Sequence, residues 1–268
     1  MFDNRAIGVF DSGIGGITVL RELAKNFPQE SFIYLGDTAR LPYGSKSPET
    51  VRKYLMQNMK FLISKDVKAI VVACNTASTQ VTERTLEGRP VFNVIEPGAA
   101  LACSVTVNKK IAVLATRATI SAGNYEKKIK SLIPQAEVLN QACPLFVPLA
   151  EEGWYDDPVT NLVAYRYLNH LKNSGVDTVV LGCTHYPLLK LAIRKIFGNS
   201  VNLVDSGEAI SRILQADFEA GTIKKCEPGH SSINISLTDA SEQFETLSNE
   251  LLCAVMNSQI RFETVSVI

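Results

Sequence analysis

No stretch of this chain is basic beyond a pair such as Lys109-Lys110, and its 27 Lys and Arg are balanced by 27 Asp and Glu. That absence argues against an electrostatic footprint for nucleic acid or an anionic membrane surface. No apolar run approaches the length needed to span a bilayer. The opening MFDNRAIGVF has no basic region followed by a long apolar stretch and a small-residue cleavage site. Histidine is scarce and scattered, at His170, His185 and His230, and no CxxC occurs, so a zinc-type metal centre is not expected. Six cysteines in a chain this long, with no secretory leader, read as reduced thiols of a cytoplasmic protein rather than a disulfide framework.

What is present is enough apolar material, 46% of residues, for a substantial core, at a length where single cores begin to divide. Short β-rich runs alternate with helix-length amphipathic stretches. AIGVF precedes GITVLRELAKNF, where Val19, Leu20, Leu23 and Phe27 mark one helical face. FIYL precedes a Gly/Pro loop and then PETVRKYLMQNMKFLISK. AIVVA precedes a turn and a helix expected from about Thr79, and VFNVI stops at Glu96-Pro97-Gly98, which reads as a strong breaker. The rhythm then restarts with KIAVLATRAT, a helix over 121–133 and AEVL. A loop over 141–157, a helix over 159–173, DTVVLG and a helix over 188–197 follow. VNLVDSG echoes the earlier GVFDSG, and the chain closes with a helix over 208–218, SINISLT, a further helix and QIRFETVSV.

Continuous apolar strands alternating with helices predict an α/β fold with mostly parallel sheets covered on both faces. The halves also match in spacing. Asp11 to Tyr43 is 32 residues and Asp11 to Cys74 is 63, against 35 from Thr116 to Glu151 and 67 from Thr116 to Cys183. The expectation is two similar, pseudo-symmetric domains with the active site in the cleft between them. Residues 1–97 with a returning 207–268 form the first, and 98–206 the second.

Two segments concentrate chemistry. In IVVACNTAST and TVVLGCTHYPLL an apolar strand hands a cysteine, then polar donors, to a turn before a helix. A thiol at such a turn sits near a helix N-terminus, where free N–H groups and the dipole favour thiolate, and the amides of Asn75, Thr76, Thr184 and His185 could hold a carboxylate. One such cysteine is ordinarily core filling, but two in matching contexts, Cys74 and Cys183, are hard to assign to packing. Cys103, Cys143, Cys226 and Cys253 lack this context and are read as structural.

FDSGIGGITVL places Asp11 and Ser12 at the first strand tip. Gly13 and Gly15, with the acidic Asp37 further on, invite comparison with a dinucleotide fingerprint. However, Thr18 stands where its third glycine belongs, and a carboxylate at the strand tip would repel a pyrophosphate. Asp11 fits better as a proton acceptor near a thiol, and no cofactor is expected. Tyr43 and Gly44 in LPYGSKSPE read equally as cleft lining or as an ordinary turn. Glu151 and Glu152 lie in an acidic loop of the kind usually solvated, and His185 beside Cys183 is a base or acid candidate. Two thiols across a cleft suit a redox pair or a two-base proton transfer. The redox reading lacks a CxxC or a resolving cysteine, whereas two bases explain the duplication: one thiolate takes a proton from one face of a carbon and the other thiol delivers one to the opposite face.

At these residues the chain resembles the glutamate racemases of the cofactor-independent aspartate/glutamate racemase superfamily. The resemblance runs through GVFDSGIGG, LGDTARLPYG, ACNTAS, VIEPG, LGCTHYPLL and LVDSG, nearly the whole chain. It implies Cys74 and Cys183 as the catalytic pair, Asp11 and His185 as their acid/base partners, and Glu151 supporting the second thiol, with Glu152 the one-residue alternative. It implies substrate contacts from Asp11, Ser12, Tyr43, Gly44, Asn75, Thr76, Thr184 and His185. The implied substrate is glutamate, a small molecule, with no cofactor, metal, nucleic acid or membrane partner. D-Glutamate is used in bacterial peptidoglycan, and the resemblance allows a homodimer without fixing an interface. The few residues before the first motif are expected to leave no room for the N-terminal extension by which some members sense a cell-wall precursor. The nearest alternative is aspartate racemase, separated by one methylene of pocket depth, or another cofactor-independent racemase of the superfamily acting on a different acidic substrate. A single-cysteine decarboxylase has no use for both Cys74 and Cys183, and a non-catalytic two-domain binding protein has no need of paired thiols.

Overall fold

A computed structural model describes residues 2–253 and 260–267. The described chain runs β1 (Ile7–Asp11), α1 (Gly16–Asn26), β2 (Phe32–Gly36), α2 (Pro48–Ser64), β3 (Ala69–Val72), α3 (Asn75–Ser78), β4 (Thr85–Leu86), β5 (Arg89–Asn93) and α4 (Ile95–Val105). It continues through β6 (Lys110–Ala115), α5 (Arg117–Ala122), α6 (Asn124–Leu132), β7 (Glu137–Ala142), α7 (Phe146–Glu151), α8 (Pro158–Lys172), β8 (Thr178–Gly182) and α9 (Lys190–Phe197). It ends with β9 (Asn202–Asp205), α10 (Ser206–Ala220), β10 (Ile233–Leu237), α11 (Glu242–Leu252) and β11 (Ile260–Thr264).

Two sheets result. One has the order β11-β10-β2-β1-β3-β5-β4 and is parallel except for the β4–β5 hairpin; the other, β7-β6-β8-β9, is parallel throughout. The run β2-β1-β3-β5 in the first corresponds strand for strand to β7-β6-β8-β9 in the second. The central strands IGVFD, AIVV and TVVLG are buried along their whole length, as strands covered on both faces must be. Helix starts are chemically specified. Ser47 caps α2 and Asp157 caps α8, each followed by proline in the first turn, and Asp205 and Ser241 cap α10 and α11. One face of the first sheet packs against α1, α10 and α11, and the other against α2. The second sheet is covered by α7, α8 and α9 on one side and by α4 and α6 on the other. The chain crosses from the first sheet to the second through α4 and back through α10, and these two helices pack on each other. No helix among the described residues is long and apolar enough to cross a membrane.

Four local expectations are corrected. Glu96-Pro97-Gly98 does not break the chain but lies in the first turns of α4, where a proline needs no N–H partner, and Asn93 Oδ1 accepts from the N–H groups of Ile95 and Glu96. The helix expected from Thr79 is the four-residue α3, ending at Ser78; the chain then enters the β4–β5 hairpin, turned at Glu87-Gly88 with both residues at positive φ. The helix over 121–133 is split at Gly123, φ 69°, into α5 and α6. The loop over 141–157 contains α7, whose Pro148 sits in its first turn. Gln259, where QIRFETVSV opens, and residues 1, 254–258 and 268 of the expected first domain lie outside the described residues.

Candidate active site

The carboxyl ends of β1 and β3 in one sheet face those of β6 and β8 in the other, and a cavity of about 730 Å³ lies between them. Ligands collect at such strand ends in parallel sheets. Ser12, Tyr43, Gly44, Cys74, Asn75, Thr76, Glu151, Cys183, Thr184 and His185 all line it. Asp11, at the tip of β1, is fully buried behind this wall. Glu152 is exposed and does not line the cavity, so the structure brings Glu151 to the site and leaves Glu152 out.

Cys74 follows β3 and is 5% exposed. Its thiol donates toward Ser12 Oγ at 3.8 Å, and its sulfur accepts from the Ala77 N–H at 3.4 Å. Burial, with the nearby Asp11 charge, pushes this thiol well above its usual range. Asp11 Oδ1 accepts from the Gly13 N–H at 3.0 Å and Oδ2 from the Thr184 hydroxyl at 3.1 Å, the latter reaching across from the second sheet. Burial lifts the Asp11 carboxyl to about 6, although His185 and these hydrogen bonds pull it the other way.

Cys183 follows β8 and is 6% exposed. Its sulfur lies 3.8 Å from His185 Nδ1, and His185 Nε2 lies 3.1 Å from Glu151 Oε1. Burial alone would lower the His185 pKa, but the Cys183 and Glu151 contacts outweigh it and raise it to about 10. Glu151 ends α7, and its carbonyl accepts from Gln243 Nε2 on α11 at 2.9 Å, a contact that again joins the two sheets' helices. The N-terminus of α1 is pressed onto this region. A Cβ at Gly15 would stand 2.4 Å from His185 Nδ1, and one at Gly16 would stand 2.3 Å from Asp11 Cβ. Thr18 Oγ1 lies 2.9 Å from the Thr184 carbonyl. Gly15 and Gly16 therefore serve close packing of α1 against the site.

Tyr43 borders the cavity, but its hydroxyl turns away to Asp37 and Asn58. Its neighbour Gly44 lies directly on Thr116, the first residue after β6. Sequence reasoning missed a triangle of hydroxyls, Thr76, Thr116 and Thr119, 3.0–3.2 Å apart. The matching order of the two sheets is the signal that could have found it, because Thr116 stands after β6 where Ser12 stands after β1. A second missed group backs Asn75, whose Oδ1 accepts from the Tyr125 hydroxyl at 2.7 Å and whose Nδ2 donates to Ser206 Oγ at 3.0 Å. The LVDSG echo thus meets the site from behind. The arrangement sets two buried thiols on opposite walls of one cavity, one against a hydroxyl and a carboxylate, the other against an imidazole.

The Asp/Glu/Hydantoin racemase family profile matches residues 7–214. A glutamate racemase of Geobacter metallireducens is 48% identical, with 92% of this chain and 93% of that protein covered. Among solved structures, a glutamate racemase isoform from Bacillus anthracis superposes with a TM-score of 0.91 at 34% identity, over 98% of this chain and 97% of that one. A glutamate racemase from Francisella tularensis, solved in complex with D-glutamate, gives a TM-score of 0.88 at 36% identity, with 98% of each chain covered.

Proposed function

The chain belongs to the Asp/Glu/hydantoin racemase family, and on that premise we propose that it interconverts L- and D-glutamate by two-base proton transfer at Cα between Cys74 and Cys183. The observation that carries this reading is the placement of the two thiols, each at the tip of an equivalent strand, lining one cavity from two sheets of the same order. Glutamate is favoured as the substrate by relatives of that activity across nearly the full chain and by the neighbour that holds D-glutamate.

The two thiols meet different surroundings. Burial and the Asp11 charge keep Cys74 protonated. His185, held to about 10, is an imidazolium across the neutral range and gives a thiolate at Cys183 an opposite charge to face. One thiolate and one thiol is the pairing a two-base reaction requires. The Cys183 thiolate abstracts the α-proton while Cys74 delivers its own from the other side, and the opposite substrate needs the reverse arrangement. That turnover leaves Cys74 as the thiolate and Cys183 as the thiol, so the reset returns a proton to Cys74, with Asp11 as its partner, and withdraws one from Cys183, with His185, oriented by Glu151, as its partner. The α-proton is only weakly acidic, so the carbanionic charge spreading into the substrate carboxylate must meet fixed donors, for which the main-chain amides of Asn75, Thr76 and Thr184 are the candidates in a closed cleft.

The same proposal divides the chain into 1–97 with 207–268 and 98–206, supported by the membership of the two sheets. It includes a cytoplasmic location, where both thiols stay reduced, supply of D-glutamate to peptidoglycan synthesis, and a homodimer, which sedimentation would test. The central test follows Cα deuterium exchange and optical rotation from each glutamate enantiomer in deuterated water. Wild type racemises both; Cys74→Ser and Cys183→Ser each lose net racemisation and retain at most one-sided exchange. Full racemisation by either variant refutes the two-base assignment.

A further inference from the structure

The proposed chemistry makes no use of Asp37, the acid of LGDTARLPYG, yet its surroundings are built with care. It follows β2, beside the β1 tip that carries Asp11, and is fully buried. Its carboxylate accepts from the Tyr43 hydroxyl, from Arg40 Nε at 2.8 Å, from Asn58 Nδ2 at 3.2 Å and from the Thr238 hydroxyl at 3.1 Å. Asn58 Nδ2 also reaches the Tyr43 hydroxyl at 3.0 Å, and the Arg40 guanidinium stacks 4.2 Å over the Tyr54 ring. A buried carboxylate is costly unless its lone pairs are filled, and here they are.

Three of these donors, Arg40, Tyr43 and Asn58, lie on the segment between β2 and α2 or on α2 itself. That segment reaches the cavity at Tyr43 and Gly44. Because the Tyr43 hydroxyl is spent on Asp37 and Gly44 has no side chain, this pair can offer a substrate only its main chain and the position of that main chain. The position is tightly bounded on the far side, where a Cβ at Gly44 would come within 2.8 Å of Thr116 Cβ. The loop is thus clamped between a buried anion on its own sheet and the tip of β6 on the other.

We propose that Asp37 is a positioning residue for substrate binding: it anchors Tyr43 so that the Tyr43–Gly44 main chain is held against the bound glutamate. This rests on the racemase reading above. Cys74 and Cys183 hang from other strands, after β3 and β8, so loosening the Asp37 anchor weakens binding and leaves proton transfer in place. The threonine that Gly44 touches belongs to the second sheet, so the anchor also sets how closely the two walls meet at this edge of the cavity.

The test measures KM and kcat for both enantiomers in Asp37→Asn, which keeps the shape but discharges the anchor, and in Asn58→Ala, which removes one arm of it. We expect KM to rise about tenfold in Asp37→Asn and about threefold in Asn58→Ala, with kcat within about threefold of wild type in both. Should Asp37→Asn fail to fold, Asn58→Ala decides the matter by the same split. A lowered melting temperature with unchanged KM, or a fall in kcat without a rise in KM, overturns the assignment and leaves Asp37 a stabilising residue only. Wild type inactive on both enantiomers overturns the functional reading and this inference with it; wild type active while both variants keep its KM overturns this inference alone.

Discussion

Gly15→Ala tests the close fit around His185 and Thr184 without replacing any group of the proposed proton-transfer machinery. Gly15 precedes α1 with φ −55° and ψ −37°, a conformation that alanine adopts freely, so the backbone raises no objection. The new methyl would stand 2.4 Å from His185 Nδ1, 2.7 Å from Cε1 and 2.5 Å from Thr184 Oγ1. Ordinary carbon contacts begin near about 3.5 Å, so His185 and Thr184 must yield by roughly 1 Å. Both belong to the second sheet's side of the cleft. Relief therefore comes by swinging the imidazole off Cys183 and Glu151 or by prising the two sides apart at Thr184–Asp11. A misplacement of roughly 1 Å costs on the order of a hundredfold in rate, and we expect kcat to fall by about that factor. Overpacking costs about 1–3 kcal/mol of stability, partly offset by the reduced freedom of the unfolded chain. The pH profile adds a second readout. His185 titrates at about 10 in the fold against 6.5 unperturbed, so the stability it contributes is complete below 6.5 and is lost as pH rises through 10. Parted from Cys183 and Glu151, the imidazole falls back toward 6.5, and the alkaline limb of kcat/KM moves down with it. Racemisation followed by optical rotation across pH 6 to 11 checks both. Activity within about threefold of wild type, with the alkaline limb unmoved, refutes the reasoning.

Two further outcomes follow from burial. Asp11 titrates at about 6 in the fold against 3.8 unperturbed, so the stability that favours its protonated form is lost as pH rises from 3.8 through 6. Asp11→Asn is therefore expected to abolish racemisation yet be more stable than wild type at pH 8, by on the order of 2 kcal/mol in urea unfolding, and a less stable variant would contradict this. Lys68 and Glu30 form an ion pair whose side chains are 2% and 4% exposed, at the opposite end of the first sheet from the site. Lys68→Met strands the Glu30 charge and should cost about 3–5 kcal/mol, whereas Lys68→Met with Glu30→Leu should regain most of it; equal losses in the two would show that the pair itself is stabilising.

The parallel sheets were readable because strands covered on both faces leave continuous apolar runs, and the two cysteines stood out because each ends such a run. The equal spacing of the halves corresponds to sheets of matching strand order, since a βαβ unit needs a similar chain length wherever it recurs. The hairpin at β4–β5 was hidden because β4, with two residues, carries no periodicity. The helices α4 and α7 were missed because proline reads as a breaker even where it sits in a first turn. Choosing between Glu151 and Glu152 needed three dimensions: α7 ends at Glu151, and successive helical residues point about 100° apart, so only one can face His185. The outward turn of the Tyr43 hydroxyl and the reach of Gln243 to Glu151 depend on partners far along the chain, of which no local pattern carries a trace.

The hydrogen bond from Thr184 to Asp11 spans the two walls, and any opening wide enough to admit an amino acid at that point breaks it. Water then reaches the carboxylate, the burial that lifted its pKa is relieved, and the residue reverts to an ordinary, feebly basic aspartate. On the other wall, Glu151 loses the Gln243 contact that crosses the same gap. Opening thus costs Asp11 its raised basicity and releases the end of α7 from α11. The basicity of the carboxylate beside Cys74 is therefore set by the shape of the cleft, and closing the two walls is what confers it.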